Sequence, residues 1–259
     1  MDAPVWRLIV DGARPGVRNM ALDRALLSGR AEGTSPPTLR LYRWERPTLT
    51  LGRFQDAASV DLALAAARGA DVARRPTGGR AVLHDDEVTY AVTASLADGV
   101  PRGVVASYRH IAGGLAAAFR LLAVPAVVTP SARGRRSSAS CYMATTQADL
   151  SVGASKLSGS AQVWEADAVL QHGSFVVSRD VELESALTRL SGQEREELAR
   201  SACTIEGVSG VRPPIVEIEA AIAEGFESAL GVAFEPGTFT ARELAAARDL
   251  DQRFRVGDG

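Results

Sequence analysis

The order of strand-like and helix-like segments is the feature that most constrains the fold of this 259-residue chain. Strand patterns fill most of residues 38–177, whereas helical spacing of apolar residues dominates the C-terminal third. The two kinds of segment do not alternate regularly, which disfavours a doubly wound parallel sheet. We therefore predict an α+β (mixed α/β) fold with a mixed β-sheet. No linker interrupts the pattern, so we expect a single domain over residues 1–259.

Individual elements are predicted from apolar periodicity and from capping residues. The predicted strands are Val5–Val10, Thr38–Trp44, Thr48–Leu51, Asp71–Arg74, Arg80–His84, Val88–Leu96, Leu150–Val152, Leu157–Trp164 and Val169–Val177. The predicted helices are one capped by Asn19 and running to about Glu32, one capped by Ser59 over Val60–Arg68, and then Val104–Leu122, Glu194–Ser201, Ile215–Leu230 and Thr240–Arg253.

Composition and charge exclude several functional classes. The formal net charge is −2, which disfavours a general nucleic-acid binder. No apolar run approaches the roughly 20 residues that span a bilayer, and the N-terminus lacks the pattern of a signal peptide. The two cysteines, Cys141 and Cys203, do not form a disulfide framework. We expect a cytoplasmic protein with both thiols free and with Cys203 in a structural role.

A single lysine, Lys156, stands among 29 basic residues, and all the others are arginine. An arginine-rich composition is typical of a GC-rich genome, which explains the arginines but not the exception. An ammonium group is compact and its pKa can shift, whereas a guanidinium is wide, planar and always charged. The exception indicates that the chemistry at position 156 requires an amine.

The segment Arg74–Asp85 reads RRPTGGRAVLHD and joins two predicted strands through two glycines. Glycine allows positive φ and a close approach of the backbone to a ligand. The segment is consistent with a loop whose amides contact an acyl carbonyl or a phosphate. An ordinary Gly-Gly hairpin gives the same pattern. Neither a P-loop nor a GxGxxG motif is present.

Cys141 follows a polar stretch that contains Arg133, Arg135 and Arg136, so a core position is not expected for it. A thiol near a cation is readily ionised and becomes a nucleophile. Lys156 follows fifteen positions later, across a predicted turn, among small residues that leave room for a ligand. Taken singly, a cysteine is more often a small buried residue, and a lysine is more often a solvated charge.

His172 lies in an apolar strand of sequence LQHGSF, where a histidine is more often a hydrogen-bonded core residue than a base. A serine hydrolase of the nucleophile-elbow type would need GxSxG, which is absent. The three histidines and two cysteines show no spacing typical of metal ligands. We therefore predict no metal site.

In this order, RRPTGGRAVLHDDEVTYAV, SKLSGSAQ and VLQHGSFVV resemble the motifs of the lipoate/biotin protein ligase superfamily. The resemblance covers roughly residues 5–235. It implies a large mixed β-sheet and a smaller sheet flanked by helices. Within the superfamily, the cysteine before the lysine strand is similar to that of the cysteine-dependent octanoyltransferases of the single-domain, ligase-like type. ATP-dependent ligases of the family usually carry an Asn-Asp pair there instead.

The resemblance implies that an octanoyl or lipoyl group passes from acyl carrier protein to Cys141 as a thioester. From there it passes to a lysine of a lipoyl domain or of glycine cleavage H protein, in lipoate biosynthesis. Because the donor is already activated, no cofactor is expected. Two alternatives stay open: an ATP-dependent lipoate-protein ligase, and a non-catalytic protein that binds lipoyl or acyl groups. Neither nucleic acid nor a membrane is expected as a partner.

The same resemblance assigns the site residues. Cys141 and Lys156 are implied as catalytic, with Lys156 binding the thioester carbonyl oxygen, favouring the thiolate of Cys141, or both. Arginines 133–136 are candidates for steering an acidic carrier protein, although a solvated loop explains them equally well. The implied substrate-binding residues are Arg75, Thr77, Gly78, Gly79, His84, Ser158, Gly159, Ser160, Ala161 and His172.

Overall fold

A computed structural model of the protein describes residues 3–129, 133–134, 140–145 and 149–256. Its largest sheet is mixed. Val5–Arg14 (β1) pairs in parallel with Thr38–Trp44 (β2) and with Ala233–Pro236 (β14), and the other pairs are antiparallel. This confirms the predicted α+β fold with a large mixed sheet. The strands of this sheet, in spatial order, are Ser160–Glu165 (β12), Ala168–Val176 (β13), Glu87–Ser95 (β6), Thr38–Trp44 (β2), Val5–Arg14 (β1) and Ala233–Pro236 (β14).

Smaller sheets accompany the large one. One contains, in spatial order, Asp71–Arg74 (β4), Thr48–Leu51 (β3) and Val82–His84 (β5). Another contains Ser155–Ser158 (β11), Leu150–Val152 (β10) and Val127–Val128 (β7). A two-stranded pair joins Arg133–Gly134 (β8) to Ala144–Thr145 (β9).

Helices flank these sheets. The α-helices are Gly16–Ala31 (α1), Leu62–Ala67 (α2), Val104–Leu121 (α3), Val181–Leu187 (α4), Gly192–Ser201 (α5), Ile205–Ser209 (α6), Ile215–Leu230 (α7) and Ala241–Leu250 (α8). Single 3₁₀ turns occupy Ala57–Ser59, Leu96–Asp98, Cys141–Met143 and Asp251–Phe254. Among the described residues, no helix combines the length and the apolar character that crossing a bilayer requires.

The large sheet is buried on both faces because helices pack on each of them. Successive side chains of a strand point to opposite sides and so enter different cores. In β2, Leu39 and Leu41 join the core beneath α3 and α7, whereas Tyr42 and Trp44 join the core beneath α1 and α8. The sequence of this strand predicts Leu39 and Leu41 on one side and Tyr42 and Trp44 on the other, and the two cores confirm it. The cavity described below lies on the α1 side.

The first helix begins four residues earlier than predicted. Pro15 precedes α1, and Asn19 lies inside the helix rather than at its cap. The buried Asn19 amide instead donates to the carbonyls of Arg14 and Arg43, at 3.3 and 3.0 Å. Proline is tolerated at a helix start because an N–H at that position would have no partner within the helix. Asn19 therefore serves tertiary packing, which its local sequence did not indicate.

The predicted helix over Val60–Arg68 is shorter, because α2 is capped by Asp61 and not by Ser59. The Asp61 carboxylate accepts from the backbone N–H of Leu64 at 2.9 Å. Ser59 belongs to the preceding 3₁₀ turn. The C-terminal helix predicted over Thr240–Arg253 is shorter: Thr240 is the cap of α8, and Asp251–Phe254 form a separate 3₁₀ turn.

The predicted strand Leu157–Trp164 is two strands in different sheets. β11 ends at Ser158 and β12 begins at Ser160, so the chain changes sheet at Gly159. Apolar patterning does not reveal this break because both halves are extended. The strands and α-helices without a predicted counterpart are α4, α6, β7, β8, β9 and β14, which are all short.

Candidate active site

The three sequence motifs converge around one cavity of about 110 Å³ on the α1 side of the large sheet. Motif glycines allow the chain segments to approach closely. A Cβ at Gly173 would lie 2.5 Å from the carbonyl oxygen of Gly159, and a Cβ at Gly52 would lie 2.0 Å from that of Gly79. The cavity is lined by Met20, Tyr42, Trp44, Arg75, Gly79, Val82, His84, Thr89, Cys141, Tyr142, Asp149, Lys156, Gly159, Ser160, Ala161, His172, Gly173 and Ser174.

Most of the predicted site residues therefore line the cavity, but Thr77, Gly78 and Ser158 are not part of its lining. Thr77 and Ser158 are fully buried behind the wall. The Ser158 hydroxyl donates to the carbonyl of Ser174 at 2.7 Å, which ties β11 to β13. Thr77 and Ser158 therefore support the cavity wall and do not line the cavity themselves.

Arg75 fixes the glycine loop from inside. Its guanidinium is buried and donates to the carbonyls of Thr50, Gly78 and Arg80, at 2.9, 3.0 and 2.8 Å. Burial lowers the pKa of Arg75 from its ordinary value, yet a guanidinium stays charged in proteins. Arg75 thus places positive charge on the cavity wall while its donors hold the loop.

His172 is the centre of a buried chain of hydrogen bonds. Its Nδ1 lies 2.9 Å from Asp23 Oδ2, and its Nε2 lies 2.8 Å from the Thr77 hydroxyl. Burial lowers the pKa of His172, whereas the contacts with His172 and with the charged Arg40 overcome burial and lower the pKa of Asp23. A neutral imidazole therefore donates to a carboxylate and accepts from Thr77.

His84 is held in the same manner on the neighbouring wall. Its Nδ1 lies 2.8 Å from Glu87 Oε1, its Nε2 lies 2.9 Å from the Thr50 hydroxyl, and its ring stacks on Trp44 at 4.2 Å. Both ring nitrogens of each cavity histidine thus have partners. Neither ring therefore offers a free nitrogen to a substrate as a proton acceptor.

Lys156 extends from β11 into the cavity and is 2 % exposed. Its Nζ lies 2.9 Å from Asp149 Oδ2, 3.3 Å from the backbone oxygen of Cys141 and 4.0 Å from the Cys141 Sγ. The Tyr142 ring lies 5.5 Å from the same ammonium. The lysine side chain passes over Gly159, where a Cβ would lie 2.8 Å from Lys156 Cε.

The electrostatics keep Lys156 charged despite its burial. Burial alone lowers the pKa of Lys156, but the negative charges of Cys141 and Asp149 outweigh it and raise that pKa above its ordinary value. An ammonium between a sulfur and a carboxylate is a charged hydrogen-bond donor that can stabilise an oxyanion. The backbone N–H of Cys141 donates to the carbonyl of Ala81 at 2.9 Å, which holds the start of this 3₁₀ turn against the segment before β5.

The second cysteine is in a different environment. Cys203 is partly buried beside the core and donates to the carbonyl of Ser155 at 3.7 Å. Burial raises the pKa of the Cys203 thiol, which disfavours a nucleophilic thiolate. Within the described ranges, no group of three or more His, Cys, Asp or Glu side chains is arranged to hold a metal ion.

Sequence patterns did not reveal the carboxylates that pair with the site residues. Asp149, Asp23 and Glu87 are each buried and each contact a predicted site residue. The signal for Asp149 was a carboxylate immediately before an apolar strand. Of the arginines at 133–136, Arg135 and Arg136 lie outside the described residues, and only the backbone of Arg133 is described.

Comparisons with known proteins identify the family of the chain. The model of the lipoyl protein ligase A/B catalytic domain family matches residues 15–227. The chain is 40 % identical to octanoyltransferase LipM of Kyrpidia tusciae over 262 residues, which covers 96 % of each protein.

Solved structures give the same result. A crystal structure of lipoate-protein ligase A bound with ATP matches with a TM-score of 0.80 and 26 % identity, covering 98 % of this chain and 95 % of that one. A bi-partite lipoate protein ligase of Thermoplasma acidophilum, described with its E2 lipoyl domain, matches with a TM-score of 0.75 and 25 % identity, covering 98 % and 93 %. The chain belongs to the lipoyl protein ligase A/B catalytic domain family.

Proposed function

We propose that this protein is an octanoyltransferase of lipoate biosynthesis that works through a thioester on Cys141. The observation that carries the proposal is the distance of 4.0 Å between Cys141 Sγ and Lys156 Nζ, which both line the cavity on the α1 side of the large sheet. The similarity to octanoyltransferase LipM over nearly the whole chain supports the acyl group and the reaction.

In the first step, the Cys141 thiolate attacks the carbonyl carbon of an octanoyl thioester. A C–S bond to Cys141 forms, the C–S bond to the donor breaks, and the donor leaves as a thiolate that takes up a proton. Negative charge develops on the carbonyl oxygen in between. The Lys156 ammonium is the charged donor next to that position, and such a contact is worth about 3–4 kcal/mol.

In the second step, the amine of an acceptor lysine attacks the acyl-cysteine. A C–N bond forms, the C–S bond to Cys141 breaks, and one amine proton passes to the departing sulfur. Because Lys156 is already protonated, it acts by stabilising the oxyanion and the departing thiolate, and not as a base. Amide formation from a thioester is downhill, so no ATP is needed.

The cavity suits a saturated chain. Met20, Trp44 and Val82 provide apolar walls beyond Cys141, and each buried CH₂ of the substrate contributes about 0.8 kcal/mol. Arg75, Gly79, His84, His172 and the segment Gly159–Ala161 complete the binding surface, with Thr77, Gly78 and Ser158 supporting it from behind. We propose octanoyl-acyl carrier protein as the donor and a lipoyl domain or glycine cleavage H protein as the acceptor. The solved ligase described with an E2 lipoyl domain supports that class of acceptor.

An intact-mass measurement tests the covalent step. After incubation with octanoyl-acyl carrier protein, we expect one octanoyl adduct, which is lost in Cys141→Ala and retained in Cys203→Ala. Cys203→Ala is the matched control because it removes the only other thiol. An adduct that persists in Cys141→Ala, or no adduct in the wild type, contradicts the proposal.

The ATP-bound ligase among the similar structures makes ATP-dependent lipoate activation the second candidate. It predicts lipoyl-AMP from lipoate and ATP, and this product would still form in Cys141→Ala. A non-catalytic binding protein would retain octanoate without turnover, and Lys156→Ala would change its affinity only. Octanoyl adduct formation, lipoyl-AMP formation and octanoate binding, measured on Cys141→Ala and Lys156→Ala, therefore distinguish the three functions.

A further inference from the structure

A second concave surface lies beside the acyl cavity and is rich in arginine. We call it the arginine cleft. It has a volume of about 490 Å³, between the end of β12, α1 and the C-terminal 3₁₀ turn. Its charged lining residues are Arg24, Arg53, Arg74, Arg75, Arg253 and Glu165.

The positive charge of the arginine cleft is not neutralised locally. Among its lining residues, Glu165 is the single acidic side chain, and it pairs with Arg24. Arg53 and Arg253 are exposed, and neither forms an ion pair with a described residue. Because the whole chain carries a net charge of −2, this concentration of cations is local and creates a field that attracts anions.

The arginine cleft is continuous with the acyl cavity. Arg75 lines both surfaces. On β12, Ala161 of the cavity and Val163 of the cleft lie two residues apart, so they point to the same face of the strand. On α1, Met20 and Arg24 lie one helical turn apart. A flexible chain lying in the cleft can therefore continue into the cavity.

The contacts of the inner arginines disfavour a tight phosphate pocket. Arg74 donates to the carbonyls of Gly52 and Gln55, at 2.9 and 2.7 Å, and the donors of Arg75 are used in the glycine loop. Both side chains contribute charge while few of their N–H groups are available. The exposed rim instead combines Arg53 with Phe54, which is 86 % exposed and 5.2 Å from that guanidinium. Adjacent exposed aromatic and cationic groups are typical of a surface that binds another protein.

We propose that the arginine cleft docks an acidic carrier protein that delivers the acyl group as a thioester on a long flexible arm. The inference rests on the proposed function and adds the surface on which its donor docks. Neither Cys141 nor Lys156 lines the cleft, so a partner seated there is displaced from the nucleophile. A donor with a long arm bridges that displacement, whereas the shorter lysine side chain of an acceptor requires docking closer to Cys141.

Charge reversal at the rim tests this surface. Acylation of Cys141 is followed by intact mass in single-turnover mixtures with three donors: octanoyl-acyl carrier protein, octanoyl-coenzyme A and octanoyl-N-acetylcysteamine, which has no charge. The variants are Arg53→Glu, Arg253→Glu and the milder Arg53→Gln. Arg109→Glu is the matched control, since Arg109 is an exposed arginine of α3, which covers the opposite face of the large sheet.

With the carrier protein, we expect each Glu variant to acylate about tenfold more slowly, and Arg53→Gln to fall between it and the wild type. The loss should shrink at high salt, because exposed charges are screened. Arg109→Glu should stay within about twofold of the wild type. With the uncharged thioester, all variants should match the wild type.

Other outcomes overturn the assignment. Equal losses with coenzyme A and the carrier protein would indicate phosphate recognition, and a loss confined to transfer onto the lipoyl domain would place the acceptor in the cleft. A loss with the uncharged thioester would indicate damage to the catalytic site. If the wild type forms no acyl-enzyme with any donor, the proposed function itself fails, which is a separate result.

Discussion

The ammonium of Lys156 lies 2.9 Å from the carboxylate of Asp149, which is itself 1 % exposed. The same ammonium lies 4.0 Å from Cys141 Sγ. The only lysine of the chain therefore bridges a buried carboxylate and the candidate nucleophile. The two neighbours raise the pKa of Lys156 and so keep it protonated. We therefore propose Asp149 as a positioning residue for the reaction.

Asp149→Asn keeps the shape of the side chain but removes its charge. Because Asp149 helps to raise the pKa of Lys156, that pKa should fall. The alkaline limb of the acylation rate should then move to lower pH, and the rate at neutral pH should drop about tenfold or more. A pH–rate profile of acyl-enzyme formation checks this. A purely structural role would lower the rate without moving the limb.

Lys156→Arg tests whether the site needs an amine rather than a positive charge. The lysine lies against Gly159, so a wide guanidinium does not fit in the same position. We expect Lys156→Arg and Lys156→Ala to lose comparable activity, about 10²–10³ in rate. Single-turnover acylation of both variants provides the comparison. An Arg variant that keeps most of the rate contradicts the requirement for an amine.

Gly159→Ala should displace Lys156 without disturbing the core. The added Cβ would lie 2.8 Å from Lys156 Cε and 2.9 Å from Nζ, which is closer than atoms tolerate, so the flexible lysine must move. We expect acylation to fall at least tenfold, because misplacement of about 1 Å at an active site costs as much as 10² in rate. Gly192→Ala is the matched control, since Gly192 lies outside the site at the start of α5 and an added Cβ there meets nothing within 4 Å. Equal activity of the two variants would contradict the placement of the lysine.

His172 should make stability depend on pH. Burial lowers the pKa of His172 in the folded state, whereas its unfolded value is about 6.5. Below about pH 6.5 the unfolded chain binds a proton that the folded protein excludes, so the free energy of unfolding falls as pH decreases. Denaturant unfolding between about pH 7 and pH 5 measures this slope.

His172→Gln should flatten that slope and lower the free energy of unfolding at pH 7 by about 1–3 kcal/mol, because Asp23 and Thr77 lose their partner. His110→Gln is the comparison, since burial also lowers the pKa of His110; this histidine is only partly buried and lies outside the cavity, so its loss should flatten the slope less. If His172→Gln keeps the wild-type slope, His172 is not held neutral.

Several features of the protein followed from local sequence. Alternation in Thr38–Trp44 assigned Leu39 and Tyr42 to opposite faces, and the order of the segments predicted a mixed sheet. The motif residues identified the family, because each motif is a short continuous stretch with fixed spacing. The lone lysine pointed to position 156 because composition alone left it unexplained.

Tertiary structure decided what surrounds those residues. The sheet change at Gly159 brings Lys156 against Asp149 and Cys141, and no local periodicity encodes a contact between separate strands. The partners of His172 are 149 and 95 positions away in the chain. Sequence thus determined which side chains are available for chemistry. Packing over long separations decided their charge and their partners, because burial and neighbouring charges set protonation only in the folded state.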